Sequence, residues 1–473
     1  MIIINRREFL KRATALGLSA SSAAALLEAC GGSSTTAGGK VTVNLYHTIP
    51  TASETFWKQQ LLPSFVKKYT GMNLVTYQLG VENAQLIRTK IKAGGDTAPD
   101  MAWLASGETG VYVQANLLPD VDGWLNSHSS IKQDIFPSLI TLSSYQGKVW
   151  SLPWMTNNTA MQINLDAFQA AGVPIPSQDP TKTWTWDQFA EACKLISQKA
   201  GMKGFLMNNG GAGWDAWLFH AWLGTNGGTF LSDSGDPGFN NTAGVETMTF
   251  LQNLVKSGST AFSAPGRGYD PSGWYSGKAA IMANGPWNFP DLVKDGSTAF
   301  SAPGAGYDPS AWYSQKAAIM ANGPWNFPDL SKLKTFKFTV VPYPVNKQPA
   351  TNPGGDQLFV FNNSQQKLAY SLDYAQYMLT DDFQVAFNIE SGNLPVTKSA
   401  TNSATYQAHL KQYPFLYGWV NGVPYGVPRS SLPQASDTQT AFGQKAWDPI
   451  ILQGANVQQS LANAATAVTA LKP

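Results

Sequence analysis

An α/β fold built on mainly parallel sheets is what this sequence predicts, and two observations carry the expectation. Strand-like and helix-like stretches alternate as β-α-β-α-β over residues 40–104, which is how a doubly wound parallel sheet reads in sequence. The chain is also 473 residues long, more than one ordinary core holds, so two or three domains are expected.

Residues 40–46 (KVTVNLY) alternate apolar and polar side chains, the pattern of a half-buried strand. Trp57, Leu61, Phe65 and Tyr69 then recur every four residues and mark a helix. Pro63 must kink or restart that helix, because proline has no amide hydrogen to donate. Residues 72–79 read as a second strand, and residues 83–93 as a helix that Gly94 and Gly95 stop. The third strand covers residues 99–104, entered through Pro99.

A second block begins near Val149. Thr185-Trp186-Asp187-Gln188 fits a capping box, with the Thr185 hydroxyl and Gln188 amide closing the first turn of a helix through Ser197. Residues 244–256 form another amphipathic helix. Residues 336–341 read as a strand closed by Pro342-Tyr343-Pro344, residues 358–362 as a further strand, and residues 365–379 as a helix. The stretch 415–436 is rich in Pro, Gly and aromatic residues, with a helical pattern over 447–471 behind it.

Charged residues make up only 13% of the chain while aromatics reach 12%, including 16 Trp. The formal charge of +2 resides in residues 1–29, where Arg6, Arg7, Lys11 and Arg12 outnumber Glu8 and Glu28. The remainder is neutral and has no basic run, which argues against nucleic acid or an anionic membrane surface as a partner.

Asn5-Arg6-Arg7-Glu8-Phe9-Leu10-Lys11 resembles the twin-arginine export motif. The uncharged stretch 13–27 that follows is too short and too rich in Ala and Ser to span a bilayer. Leu27-Glu28-Ala29-Cys30 then resembles a lipobox, which implies an export signal over 1–29 and a diacylated Cys30. Glu28 is an unusual residue inside such a box. Residues 30–40 supply a Gly- and Ser-rich tether. Only Cys193 remains in the mature chain, so no internal disulfide is possible. Its helical spacing with Phe189 and Ile196 marks it as a buried apolar residue.

The order of motifs from Val149 onward resembles the bacterial extracellular solute-binding proteins of the maltose-binding type. The carriers are Gly147-Lys148-Val149-Trp150-Ser151-Leu152-Pro153, Met161-Gln162-Ile163-Asn164-Leu165-Asp166-Ala167-Phe168, Ala171-Gly172-Val173-Pro174 and Thr183-Trp184-Thr185-Trp186-Asp187. Ser276-Gly277-Lys278-Ala279-Ala280-Ile281-Met282 leading to Asn284-Gly285-Pro286-Trp287, and Gly392-Asn393-Leu394-Pro395, follow in the family's order. The likeness covers roughly residues 41–470. It implies a two-lobed periplasmic-binding-protein-like fold (type II). One lobe would hold 41–155 with 350–393, and the other 156–349 with 394–473. A ligand would sit in the cleft, lobe closure would follow, and the closed form would meet the permease subunits of an ABC importer. A lipid-anchored monomer on the outer face of the cytoplasmic membrane, or in the periplasm, is implied as well.

A sugar presents hydroxyl rims and flat C–H faces, so its site needs aromatic platforms beside amides and carboxylates. By position in the family's cleft, Trp287 or its twin Trp325 is the expected platform, with packing on the lobe as the alternative. Trp214 and Asp215, behind the Gly-rich 208–213, are further candidates, although Trp214 could equally be core. His47 and Thr48 end the first strand and Trp103 and Ser106 the third, where doubly wound sheets bind ligands. Asn157 and Asn158 are either hinge or ligand residues. Gly355 and Asp356 lie near the second crossing, and Arg429 either meets the ligand or makes a structural salt bridge.

Catalysis, cofactors and metals find no support. His47, His128, His220 and His409 are scattered without metal-ligand spacing. Asp100, Asp215 and Asp356 show no spacing that favours the paired carboxylates of a glycosidase over binding. The expected function is therefore reversible binding of a neutral mono- or oligosaccharide. A secreted carbohydrate-active enzyme, or a binder of a polyol or other polar solute, stands as the alternative.

Residues 255–292 return as 293–330 with four differences: Ser257/Asp295, Arg267/Ala305, Gly273/Ala311 and Gly277/Gln315. Architectural repeats diverge and come in greater number, so this reads as a recent tandem duplication or as an error of sequence assembly. The family's fold has room for one copy, and Gly277 rather than Gln315 matches its glycine before the lysine. The first copy is thus expected at the site.

Two substitutions test the leader. Cys30→Ala is expected to release the protein from the membrane fraction, and unchanged retention overturns the anchor. Arg6→Lys with Arg7→Lys is expected to abolish export, read by fractionation of the same cells.

Overall fold

Val43 and Leu45 of the first strand enter one apolar core, while Tyr46 enters another on the opposite face of the sheet. The strand is thus covered on both faces, as parallel sheets are, and its alternation does not mark a wet side. Its polar Asn44 is fully buried, with its side-chain amide donating to the carbonyls of Asp96 and Ala98. This computed structural model describes residues 39–49, 51–79, 84–207, 214–262, 281–284, 337–427 and 429–472.

In chain order the strands are β1 (Val41–His47), β2 (Met72–Gln78), β3 (Met101–Ala105), β4 (Ser144–Tyr145), β5 (Lys148–Val149), β6 (Leu152–Pro153) and β7 (Asn157–Asn158). They continue as β8 (Ala160–Asn164), β9 (Phe205–Met207), β10 (Thr260–Phe262), β11 (Ile281–Asn284), β12 (Phe338–Val341), β13 (Pro353–Gly354) and β14 (Asp356–Val360). One five-stranded sheet runs β2-β1-β3-β14-β6 and a second runs β10-β9-β11-β8-β12. In the first, β1 is parallel to β2 and β3, while β14 runs antiparallel between β3 and β6. In the second, β9 is parallel to β10 and β11, and β8 is antiparallel to β11 and β12. The strand β11 belongs to the first copy of the duplicated segment; the second copy, 293–330, lies outside the described residues.

Local chemistry explains the flanking elements. Pro63 restarts its helix: α-helical Thr51–Phe56 passes through a wide π-type turn at Trp57–Leu61 into Leu62–Lys68. Gly94 and Gly95 stop helix Ala84–Ala93 with φ of +68° and +85°. The capping box is present, with Gln188 N donating to Thr185 Oγ1 at 3.2 Å and Thr185 N to Gln188 Oε1 at 2.8 Å. It opens helix Trp186–Lys199, where Cys193 is buried and its thiol is pushed well up by desolvation. The pattern over 447–471 is not one helix. Pro449 widens Gly443–Leu452 into a π-type helix, Gly454 turns at φ +70°, and Val457–Thr469 restarts under an Asn456 cap. Among the described residues no helix is long and apolar enough to cross a membrane.

Much of the aromatic richness serves these cores. Trp103 stacks on Trp154 at 4.0 Å, with Trp57 and Phe387 completing the row at 5.1 and 4.9 Å. Around the second sheet, Trp184, Phe189, Phe205 and Trp222 pack edge to face.

The chain passes between the two sheets at one place. β7 pairs antiparallel with β13, and Thr156 bridges Leu394 through bonds of 3.0 and 2.9 Å. Buried Gln384 ties the crossings together: its amide donates to the Trp154 carbonyl and its oxygen accepts from Val396 N. Gly355 leaves the crossing at φ +103°, and a methyl group there would lie 2.5 Å from the Met155 carbonyl oxygen. Gly355→Ala is therefore expected to lower stability in urea denaturation by about 1–3 kcal/mol from backbone strain alone. An unchanged midpoint would show that this turn relaxes freely.

Candidate ligand site

The C-terminal edge of the first sheet brings four of the expected residues together. His47 ends β1 and Thr48 follows it; Ser106 follows β3; Asp356 opens β14 opposite Ala105. Thr48 Oγ1 donates to Asp356 Oδ2 at 3.4 Å. Ser106 is buried, and its hydroxyl has no hydrogen-bond partner among the described residues. Gly355 sits beside them against Met155 and Thr156.

The second body contributes helix Trp214–Thr225, whose first turn holds the buried Asp215. One turn on, the Trp217 carbonyl accepts from Asn352 Nδ2 at 3.0 Å, and its indole lies against Gly354 at the crossing. The Arg429 guanidinium sits 5.6 Å from that indole ring, a cation–π arrangement. Asn158 donates to the Trp419 carbonyl at 2.9 Å, and Asn157 reaches Asn393 Oδ1 at 3.5 Å. Both asparagines thus make bonds at the crossing.

The remaining candidates fall elsewhere. Trp103 is fully buried in the aromatic row of the first core. Trp214 begins its helix, but its side chain, like Trp287, Trp325 and Cys30, lies outside the described residues. Trp217 was not legible as a residue at the crossing, because the apolar run WDAWLFHAWLGT reads as a core helix all round.

His47 is fully buried, edge-on to Trp57 at 5.3 Å and tilted to Trp103 at 5.6 Å. Its Nε2 lies 3.3 Å from Glu54 Oε1, which also receives Lys58 Nζ at 2.5 Å. That distance suits an ion pair, yet the geometry makes no hydrogen bond. Burial lowers the imidazole to about 4, against the opposing pull of Glu54. We therefore read His47 as neutral. His220 stacks on Phe230 at 4.4 Å and is lowered to about 3, first by burial and then by the Arg429 charge. Among the described residues no cluster of His, Cys, Asp or Glu could hold a metal.

Two α/β bodies, joined where the chain passes side by side and each offering polar groups near that crossing, define a two-lobed binding protein. The chain belongs to the family described as bacterial extracellular solute-binding protein, whose pattern it matches over residues 50–385, which makes it extracytoplasmic. It is 24% identical over 222 residues to the arabinooligosaccharide-binding protein of Bacillus subtilis (strain 168), across 46% of this chain and 48% of that one. The match thus spans about half the length of that curated relative. Among solved structures it resembles the cyclic alpha-maltosyl-1,6-maltose binding protein from Arthrobacter globiformis, with TM-score 0.73, 22% identity and coverage of 91% and 99%. It also resembles the sugar-binding protein MalE from Xanthomonas citri, with TM-score 0.69, 16% identity and coverage of 90% and 96%. The family and these neighbours are binding proteins.

Both buried histidines titrate below the ordinary value of 6.5, so the unfolded chain takes up protons that the folded one refuses. Stability is therefore expected to fall as pH drops below about 6.5, levelling only beneath the folded values. Urea denaturation at pH 7 and pH 4.5 should show the loss. His47→Met should remove roughly 2 kcal/mol of the difference, and an unchanged difference would exclude His47 as a source.

Proposed function

We propose that this protein is the solute-binding component of an ABC importer and that it binds a neutral mono- or oligosaccharide between its lobes without chemical change. The observation that supports the reading is that each body carries polar groups on elements that adjoin the crossing. Thr48, Ser106 and Asp356 come from the first, and Asp215 and Arg429, with Trp217, from the second. Each group can engage a hydroxyl, and a ligand that touches both sets is bound more tightly when the lobes close. The names of the relatives, two of them oligosaccharide binders, support a sugar over other solutes.

The lobes in this reading are 41–155 with 350–393 and 156–349 with 394–473, and the partition of strands between the two sheets supports them. Trp287 supplies the stacking platform, because strand β11 of its own copy pairs within the second sheet just before it. The mature protein is a monomer held by lipid at Cys30 behind its tether, and its partners are the permease subunits. The rival readings are a carbohydrate-active enzyme using Asp215 or Asp356, and a polyol binder.

Incubating the purified protein with a panel of glycans and polyols separates these. A rise in melting temperature with a sugar, and no product, is the expected result. Turnover that disappears in Asp215→Asn or Asp356→Asn would establish the enzyme, and a response to polyols alone would establish the other rival. With the responding sugar, Trp287→Ala should weaken binding by roughly tenfold, and Trp325→Ala should leave it unchanged. The reverse pattern would assign the site to the second copy.

A further inference from the structure

Residues 425–427 lie at the crossing, and residues 429–433 run along the second body and touch the first lobe. Thr351 N donates to the Tyr425 carbonyl at 3.1 Å and Val427 N to the Thr351 carbonyl at 2.8 Å, so one end is laced to Thr351, just before β13. The later residues belong to the second body. Arg429 lies over Trp217, Leu432 lies against Gly235, and the helix that follows, Ala435–Phe442, stacks Phe442 on Phe219 at 4.7 Å. Yet the Ser431 carbonyl accepts a 2.9 Å hydrogen bond from Gly110 N. Gly110 lies in the first turn of helix Thr109–Gln114, which is rooted in the first lobe by Tyr112 against Phe359 and Phe361.

The approach is backbone on backbone. A methyl group on Gly110 would collide with the Ser431 carbonyl oxygen and come within 2.7 Å of Pro433 Cδ. Gly107, one turn earlier in the same stretch, has nothing within 4 Å of an added methyl. The glycine at 110 is therefore demanded by the neighbour across the lobes and not by its own φ, which carries no left-handed strain. An amide in a first helical turn has no carbonyl of its own helix to bond, and here the opposite lobe supplies one.

We propose that the Ser431–Gly110 contact is a latch, made wholly by the protein, that holds the lobes closed in the absence of any solute. Opening exchanges this bond for water, and Gly110 is the residue that lets the latch seat. The latch needs no sugar, so its test is independent of the ligand.

Two measurements on the ligand-free mature protein decide it. In the wild type, the Gly110 amide should exchange with solvent at least about tenfold more slowly than a free amide, as a bond broken only by local opening does. In small-angle scattering, Gly110→Val should show a larger radius of gyration than the wild type, while Gly107→Ala should match the wild type. Circular dichroism establishes that each variant is folded; if Gly110→Val is not, the exchange measurement decides alone. Free exchange at Gly110, or a folded Gly110→Val that scatters like the wild type, overturns the latch.

Discussion

The organising constraint of this molecule is the single place where its chain passes between two sheets. Each sheet needs cover on both faces, one apolar cluster runs through both bodies, and extended segments carry the chain between them. Those segments satisfy their backbone groups on one another: β7 on β13, and Thr156 on Leu394. Such a ladder is short, so it resists separation of the bodies more than it resists their rotation. Gln384 stiffens it by holding the Trp154 carbonyl and the Val396 amide with one side chain.

Scarcity of charge shapes the rest. With few ion pairs available, buried polar groups are met chiefly by amides and main-chain atoms. Asn44 and Gln384 are two cases, and Thr159, bonded to Tyr343 and Asn352, is a third. Asp100 is the costly exception. Its carboxyl is fully buried and pushed up by desolvation, against which Asn44 N, Lys367 and Asn363 all act. The same scarcity leaves Arg429 conspicuous beside the crossing, over a tryptophan rather than on a salt-exposed surface.

Local elements were legible from sequence because their signals are local. A capping box, paired glycines and a proline inside a helical stripe each act within a few residues, and each sits where the sequence put it. The helix over 447–471 was misjudged for the converse reason. Its apolar periodicity outweighed Pro449 and Gly454, although both interrupt hydrogen bonding on the scale of one turn. The candidate site was legible only at strand ends, where topology places ligands. Trp103 shows the limit, since being next to an edge residue does not decide which face of a strand a side chain takes. Trp217 was hidden because a helix apolar on every side gives no phase to read. Contacts between distant segments, such as Asn352 with Trp217, leave no mark in either stretch alone.

The second sheet has one further property. Strand β8 is paired by β11 on one side and by β12 on the other, so both ends of the connection 285–337 are pinned to the same strand. The span between fixed anchors can lengthen at a cost that grows only with the logarithm of its length. Length added within this connection therefore leaves both anchoring strands, and the register they share with β8, in place.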